Sequence, residues 1–172
     1  MFINIIKYNR NTLSDLEKLF LLKIVPIARL IQKWTKNKAE FVNKLSSHGI
    51  FSSIIIANII LKSEWGRHPI SQEKFDGKYS NNLLLIKSNK FWTGRTHIYQ
   101  NNQYKAYKDW EEFCVDYSDW VVFSGLYDKV LDSSILEDQI SFYVSAELLD
   151  LVYNTKIKNI IDYYNLREFH YE

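Results

Sequence analysis

Cysteine is almost missing from this sequence. Cys114 stands alone, so no internal disulfide can form and no cysteine-based metal site is expected. A buried, small apolar side chain is the ordinary role for such a residue. The scarcity fits a reducing compartment and fits equally well an export route that avoids cysteine. Two prolines and five glycines in 172 residues leave little room for long linkers. An excess of one charge is missing too: 22 Lys and Arg face 20 Asp and Glu, a formal net charge of +2. The whole chain therefore offers no global electrostatic argument for nucleic acid or a membrane surface. Long apolar runs are also absent. LFLLKIVPIARLIQKW is interrupted by Lys23, Pro26 and Arg29 and is not expected to span a bilayer. The opening stretch MFINIIKYNRNTLSDLEKL reaches charged residues too early for a convincing signal peptide.

What is present is a globular composition, 47% hydrophobic and 16% aromatic, in a chain long enough for one domain, 1–172, with a real core. No repeat or low-complexity tract breaks it. Residues 13–35 carry Leu16, Leu19, Phe20, Ile24, Ile27, Leu30, Ile31 and Trp34 at helical spacing. Ser14 and Glu17 form a capping box at the start, and Pro26 is expected to kink or split the helix. A second short helix is expected over 37–47, ended by Gly49. The next, over 51–65, is expected to be capped by Ser52 or Ser53, with Ile54, Ala57, Leu61 and Trp65 as its core stripe. Asn58 and Lys62, four apart, stack on a neighbouring face. Residues 67–90 read as loop. KFWTGRTHIYQNNQYKAYKDW reads as a hairpin turning at Asn101-Asn102. Helices follow over about 109–122, 134–149 and 154–165.

Taken together, these segments resemble a known family. GIFSSIIIANIILKSEWG matches the signature helix of the bacterial endo-β-N-acetylglucosaminidases of glycoside hydrolase family 73 at Gly49, Ile50, Ser53, Ala57, Leu61, Ser63, Trp65 and Gly66. NNLLLIK, WTG, YKAYKDWEEF, LLKIVPIA and YNTKIKNIIDYYNL resemble further family motifs in the same order, so the resemblance spans about residues 17–167. It implies a lysozyme-like α+β fold, mostly α with a small β-hairpin lobe, acting on bacterial peptidoglycan at the cell wall or outside the cell. It implies no cofactor and no metal.

The same resemblance exposes a departure. The family's general acid sits between the leucine and serine of the signature helix, and here that position is Lys62. Cleaving a glycosidic bond requires a carboxylic acid to protonate the leaving oxygen. A lysine ammonium, with an ordinary pKa of about 10.4, is a poor donor and repels the positive charge that develops on the sugar. Glu64 is the possible substitute, but it lies about 200° around the helix from Lys62 and needs the helix to break at Ser63. Its plain reading is a surface residue. The second carboxylate, expected in the β lobe, has no counterpart, since no Asp or Glu occurs from Gly77 to Lys108. The segment with the family's cleft tyrosine falls on AELLD, 146–150, which puts Glu147 at the tyrosine position and Asp150 at an aspartate. The family's Phe-Gly has become Leu84-Leu85.

Two functions therefore stand side by side. One is a degenerate glucosaminidase module that binds wall glycan or a wall-associated protein; the other is an active endo-β-N-acetylglucosaminidase using Glu64. The candidate glycan contacts are Asn58, Asn82, Trp92, Tyr99, Tyr104, Tyr107 and Glu147, though aromatics of this kind more commonly pack a hairpin onto helices. The basic stretch 77–108, with Lys78, Lys87, Lys90, Arg95, Lys105 and Lys108, suits stem-peptide carboxylates or teichoic-acid phosphates, or is a solvated surface. His48, His68, His97 and His170 lack ligand spacing, and His97 reads as an exposed strand residue.

Overall fold

The computed structural model describes residues 13–44 and 48–170. Helix α1, Asp15–Phe41, opens with the expected capping box: the Ser14 hydroxyl accepts from the Glu17 amide, and the Glu17 carboxylate accepts from the Ser14 amide at 2.8 Å. Pro26 does not split it. Both Pro26 and Leu22, whose carbonyl a proline four residues on cannot serve, lie on the exposed side of the helix, where solvent has access. The separate helix expected over 37–47 is corrected accordingly: residues 37–41 are the end of α1, and 45–47 lie outside the described residues. Ile24, Ile27 and Ile31 are buried as the periodicity requires, whereas Leu16 and Leu19 are exposed.

Gly49 turns the chain from α1 into helix α2, Ser52–Ser63. Its φ is +67°, and its α-carbon lies so close to α1 that a β-carbon would stand 2.4 Å from the Gln32 carbonyl oxygen. Helix α2 is the centre of the molecule. Every residue from Ser52 to Ile60 is buried, so the expected single core stripe is corrected to a fully enclosed helix. A helix apolar on all sides belongs in the middle of a bundle. Neither serine caps it. Phe51 is the N-cap, Ser52 Oγ donates to the Phe169 carbonyl at 2.6 Å, and Ser53 Oγ lies 2.6 Å from His170 Nε2. Both hydroxyls tie the C-terminal end of the chain to α2.

The 67–90 segment is not plain loop. It contains a 3-10 turn, Pro69–Ser71, and a hairpin of two-residue strands, β1 (Lys74–Phe75) and β2 (Lys78–Tyr79), turning at Asp76-Gly77. Strands this short leave no alternation to read. The second hairpin, β3 (Thr96–Tyr99) and β4 (Asn102–Lys105), has the expected place but turns at Gln100-Asn101, one residue early, because Tyr99 pairs with Asn102. Both turn residues have positive φ, as a two-residue hairpin loop requires. Lys87 bridges to Tyr104 on the other edge of β4. Phe75 packs edge-on against His97 and Tyr99, joining the two hairpins into one lobe.

Helix α3 (Trp110–Phe123) packs on α1, α4 (Asp128–Asp132) on α5 (Leu136–Ala146), and α6 (Leu151–Tyr163) on both α5 and α2, and a 3-10 turn, Leu166–Phe169, lies against α2 and α6. Helix α4, five residues long, carries no periodic signal and was not foreseen. Cys114 is buried, with its thiol pushed up to about 12 by desolvation. One hydrophobic core runs from Ile24 through the α2 isoleucines to Phe169. The α+β class, mostly helical with a small β lobe, is as expected. Among the described residues no helix is long and apolar enough to cross a membrane.

Candidate active site

The signature helix delivers its last turn to a junction between α2, α5 and α6. Lys62 is on that turn, and its ammonium donates to Glu147 Oε2 at 2.9 Å. The side chains are 24% and 16% exposed, so the pair is largely withdrawn from water. Glu147 caps the C-terminal end of α5 with its amide bonded to the Tyr143 carbonyl. Leu148 follows at φ +54°, and Asp150 accepts from the Tyr153 amide to start α6. The α5–α6 elbow is thus fixed on both sides of Glu147. Its second oxygen, Oε1, accepts from the Tyr127 hydroxyl. Burial holds the Tyr127 phenol far above its ordinary range, so it keeps its proton and acts as a donor.

A polar network continues inward. Tyr117 and Tyr143 share a hydrogen bond of 2.9 Å, Asn58 Nδ2 donates to the Tyr143 hydroxyl at 2.5 Å, and the Tyr153 hydroxyl donates to Asn58 Oδ1 at 2.7 Å. Desolvation raises all three phenols, Tyr117, Tyr143 and Tyr153. The aromatic residues that form this chain, Tyr117, Tyr127 and Tyr143, are among the largest fully buried side chains of the protein. Sequence reasoning missed them as site residues. Their buried positions on α3, α5 and the turn before α4 look like ordinary core until α4 places Tyr127 against Glu147.

The helix does end at Ser63. Glu64, Trp65 and Gly66 follow with φ of +51°, +59° and +76°, three successive left-handed residues. The turn is held by Ser63 Oγ, which accepts from the Gly66 amide at 2.9 Å, and by the Ser63 carbonyl, which accepts from the His68 amide at 2.9 Å. Glu64 is exposed and has no ion-pair partner among the described residues, while its charge acts on His68.

The candidate glycan contacts divide by burial. Asn58 lies wholly inside the tyrosine network. Asn82 is equally buried and works as a staple: its amide donates to the Ile86 and Lys105 carbonyls, each at 2.9 Å, and accepts from the Ile86 amide at 2.8 Å. Tyr107 is fully buried between Trp92 and Phe113, with its hydroxyl on Asp116, and Tyr104 is buried as well. Hairpin and helix packing encloses these four. Trp92 and Tyr99 are half-buried and Glu147 reaches the surface in part. His97 is buried, its Nε2 2.9 Å from the Tyr79 carbonyl, and is not the exposed strand residue expected. Lys105 leaves the basic surface altogether: its ammonium lies 2.8 Å from Asp116 and 4.5 Å from the Trp92 ring centre. Among the described residues no three His, Cys, Asp or Glu side chains converge as a metal site would require.

A family model described as mannosyl-glycoprotein endo-beta-N-acetylglucosaminidase, the glucosaminidase family, matches residues 38–166. The chain belongs to this glucosaminidase family. Three solved structures share its fold at low sequence identity. The catalytic domain of the autolysin Auto from Listeria monocytogenes superposes with a TM-score of 0.69 at 17% identity, covering 92% of this chain and 89% of that one. The glycoside hydrolase domain of Salmonella typhimurium FlgJ gives 0.68 at 20%, covering 88% and 90%. The peptidoglycan hydrolase from Sphingomonas sp. A1 gives 0.65 at 23%, covering 88% and 92%. No curated protein sequence matches the chain. In this member of the family, then, the fold is kept, and the end of α2 presents an ammonium held by a carboxylate.

Proposed function

We propose that this glucosaminidase domain has given up hydrolysis and binds bacterial cell-wall glycan, or a wall-associated protein, through the fold it retains. The observation that carries the reading is the Lys62–Glu147 pair at the position where the family resemblance calls for a proton donor. Both oxygens of Glu147 act as acceptors, one from Lys62 and one from Tyr127, so that carboxylate is occupied in holding the cation. An ammonium there opposes the oxocarbenium-like charge of glycosidic cleavage. No acid occurs between Gly77 and Lys108, where the resemblance calls for a second carboxylate, and the lobe's acids Glu73 and Asp76 precede that stretch.

Purified peptidoglycan tests this directly. The expected result is retention of the protein on the insoluble polymer with no loss of turbidity and no new reducing ends. Release of reducing ends by the unaltered protein defeats the reading. A second reading, an active enzyme with Glu64 as general acid, draws support from the helix ending at Ser63, the break that such a role needs. It requires that activity be present and that Glu64→Gln abolish it.

A further inference from the structure

The near-neutral net charge hides a segregation. Residues 66–108 hold eight of the 22 Lys and Arg but only two of the 20 Asp and Glu, namely Glu73 and Asp76, so the rest of the chain is net acidic. In the helical body Lys18, Lys38, Lys44, Lys62 and Arg167 each hold a carboxylate. In the β lobe Lys105 is buried on Asp116 and Lys108 has Asp109 at 3.9 Å. The remaining six, Arg67, Lys74, Lys78, Lys87, Lys90 and Arg95, are exposed, and none has a carboxylate at ion-pair distance among the described residues. Lys74 and Lys90 lie over the rings of Tyr79 and Phe91, at 5.5 and 4.9 Å, and those rings are 42% and 79% exposed.

We propose that the β lobe binds a phosphodiester-linked anionic polymer of the cell envelope. The proposal rests on the wall-binding reading above and adds a second ligand to it. The six cations sit on separate segments: the turn after α2, β1, β2, the 87–90 bend and the approach to β3. That arrangement suits charges repeated along a chain rather than one anion. Lysine meets phosphate as a point charge and needs no shaped pocket. The packing of Phe75 against His97 and Tyr99 joins the two hairpins into one lobe; Arg67 stands apart, with its charge acting on Glu17 of α1, and the exposed rings beside Lys74 and Lys90 offer apolar faces to the polymer backbone. Binding of this kind displaces counterions and weakens steeply with salt.

The experiment measures retention of the full chain on cell-wall sacculi before and after hydrofluoric acid removes phosphodiester polymer, across a salt series. Binding to soluble poly(glycerol phosphate), polyglutamate and duplex DNA is measured alongside. Intact sacculi are expected to retain more protein than extracted ones, and salt should erase the difference. Changing Lys74, Lys78, Lys87, Lys90 and Arg95 together to Gln should weaken poly(glycerol phosphate) binding about tenfold or more and flatten its salt dependence. Changing Lys129, Lys156 and Lys158 to Gln should leave it unaltered. Equal retention on both kinds of sacculi, or an unaffected lobe variant with an unchanged melting curve, overturns the proposal. So does tighter binding to polyglutamate or duplex DNA than to poly(glycerol phosphate) at equal ionic strength. Retention on extracted peptidoglycan with no binding of poly(glycerol phosphate) keeps the wall-glycan reading and removes this one. Salt-sensitive binding of poly(glycerol phosphate) without retention on extracted peptidoglycan does the reverse.

Discussion

Lys62 and Glu147, 85 residues apart in the chain, meet at 2.9 Å between the last turn of α2 and the end of α5. Both stand at positions where the family resemblance carries something else, an acid and a tyrosine. Either replacement alone strands a charge in a largely enclosed place. Together they neutralise each other, and the C-terminal end of α2 adds a favourable field for the ammonium. The pair thus forms an internal tie between the end of α2 and the end of α5. Such a tie lets two charged side chains sit among packed helices without either being left unpaired.

A double-mutant cycle measures the tie. Lys62→Met leaves Glu147 with Tyr127 only, and Glu147→Gln leaves the ammonium without a counter-charge. Each is expected to destabilise by about 2 kcal/mol, the lower part of the range for breaking an enclosed pair because both side chains keep some solvent contact. The double variant should lose clearly less than the sum, with a coupling of about 1 kcal/mol or more in urea unfolding. Strict additivity would show that the two charges do not act on each other.

Under the proposed loss of hydrolysis, the same geometry predicts which variant could cleave. Lys62→Glu alone places a second carboxylate against Glu147, where like charges repel, so it should be less stable than Lys62→Met and remain inactive. Lys62→Glu combined with Glu147→Tyr removes the repulsion and should recover about 2 kcal/mol relative to the single change. Any release of reducing ends from peptidoglycan should appear in that pair and not in the single variant. Activity in Lys62→Glu alone, at full stability, would contradict the coupling.

The helical framework was readable because it rests on apolar spacing and capping chemistry, both local: Ser14 with Glu17, and the isoleucines of α1. The central burial of α2 was not, since a helix apolar all round looks like a striped one until its neighbours are known. The site was legible as far as register goes. Lys62 and Glu147 could be placed by position, but their contact depends on the elbow between α5 and α6, which no local pattern encodes. The burial of Asn82 and Tyr107 is hidden from the sequence for the same reason. A polar or aromatic residue in a hairpin has the same sequence signature whether it meets a ligand or staples a loop, and here Ile86, Lys105 and Asp116 decide it.

Gly49 gives a sharper test of how α1 positions α2. Its positive φ already disfavours any other residue, and a β-carbon would stand 2.4 Å from the Gln32 carbonyl, 2.6 Å from Thr35 Oγ1 and 2.8 Å from the Lys36 amide nitrogen. Two of those atoms are helix backbone and cannot yield cheaply. Thr35 Oγ1 also accepts from the Ile50 amide at 3.1 Å, so displacement breaks the entry to α2. Gly49→Ala should therefore cost about 3 kcal/mol or more, read as a lowered melting temperature. A loss below about 1 kcal/mol would mean that the contact between α1 and this turn relaxes freely.

His170 predicts how stability follows pH. Its ring stacks on Phe51 at 4.5 Å, Nε2 lies 2.6 Å from Ser53 Oγ, and Arg167 and His48 add positive charge nearby. Desolvation first, then those two cations, lowers its pKa to about 4, against an ordinary value near 6.5. The folded state therefore favours the neutral ring. Above about pH 6.5 the contribution is whole, because neither state binds the proton. As pH falls from there towards 4 the unfolded chain takes up the proton first, and stability drops. The ring keeps considerable solvent contact, so the loss is on the order of 1 kcal/mol, less than the full shift implies. Unfolding followed over that window should show a steeper decline for the unaltered protein than for His170→Asn, which cannot titrate. Parallel declines would show that the C-terminal clasp on α2 is indifferent to the proton.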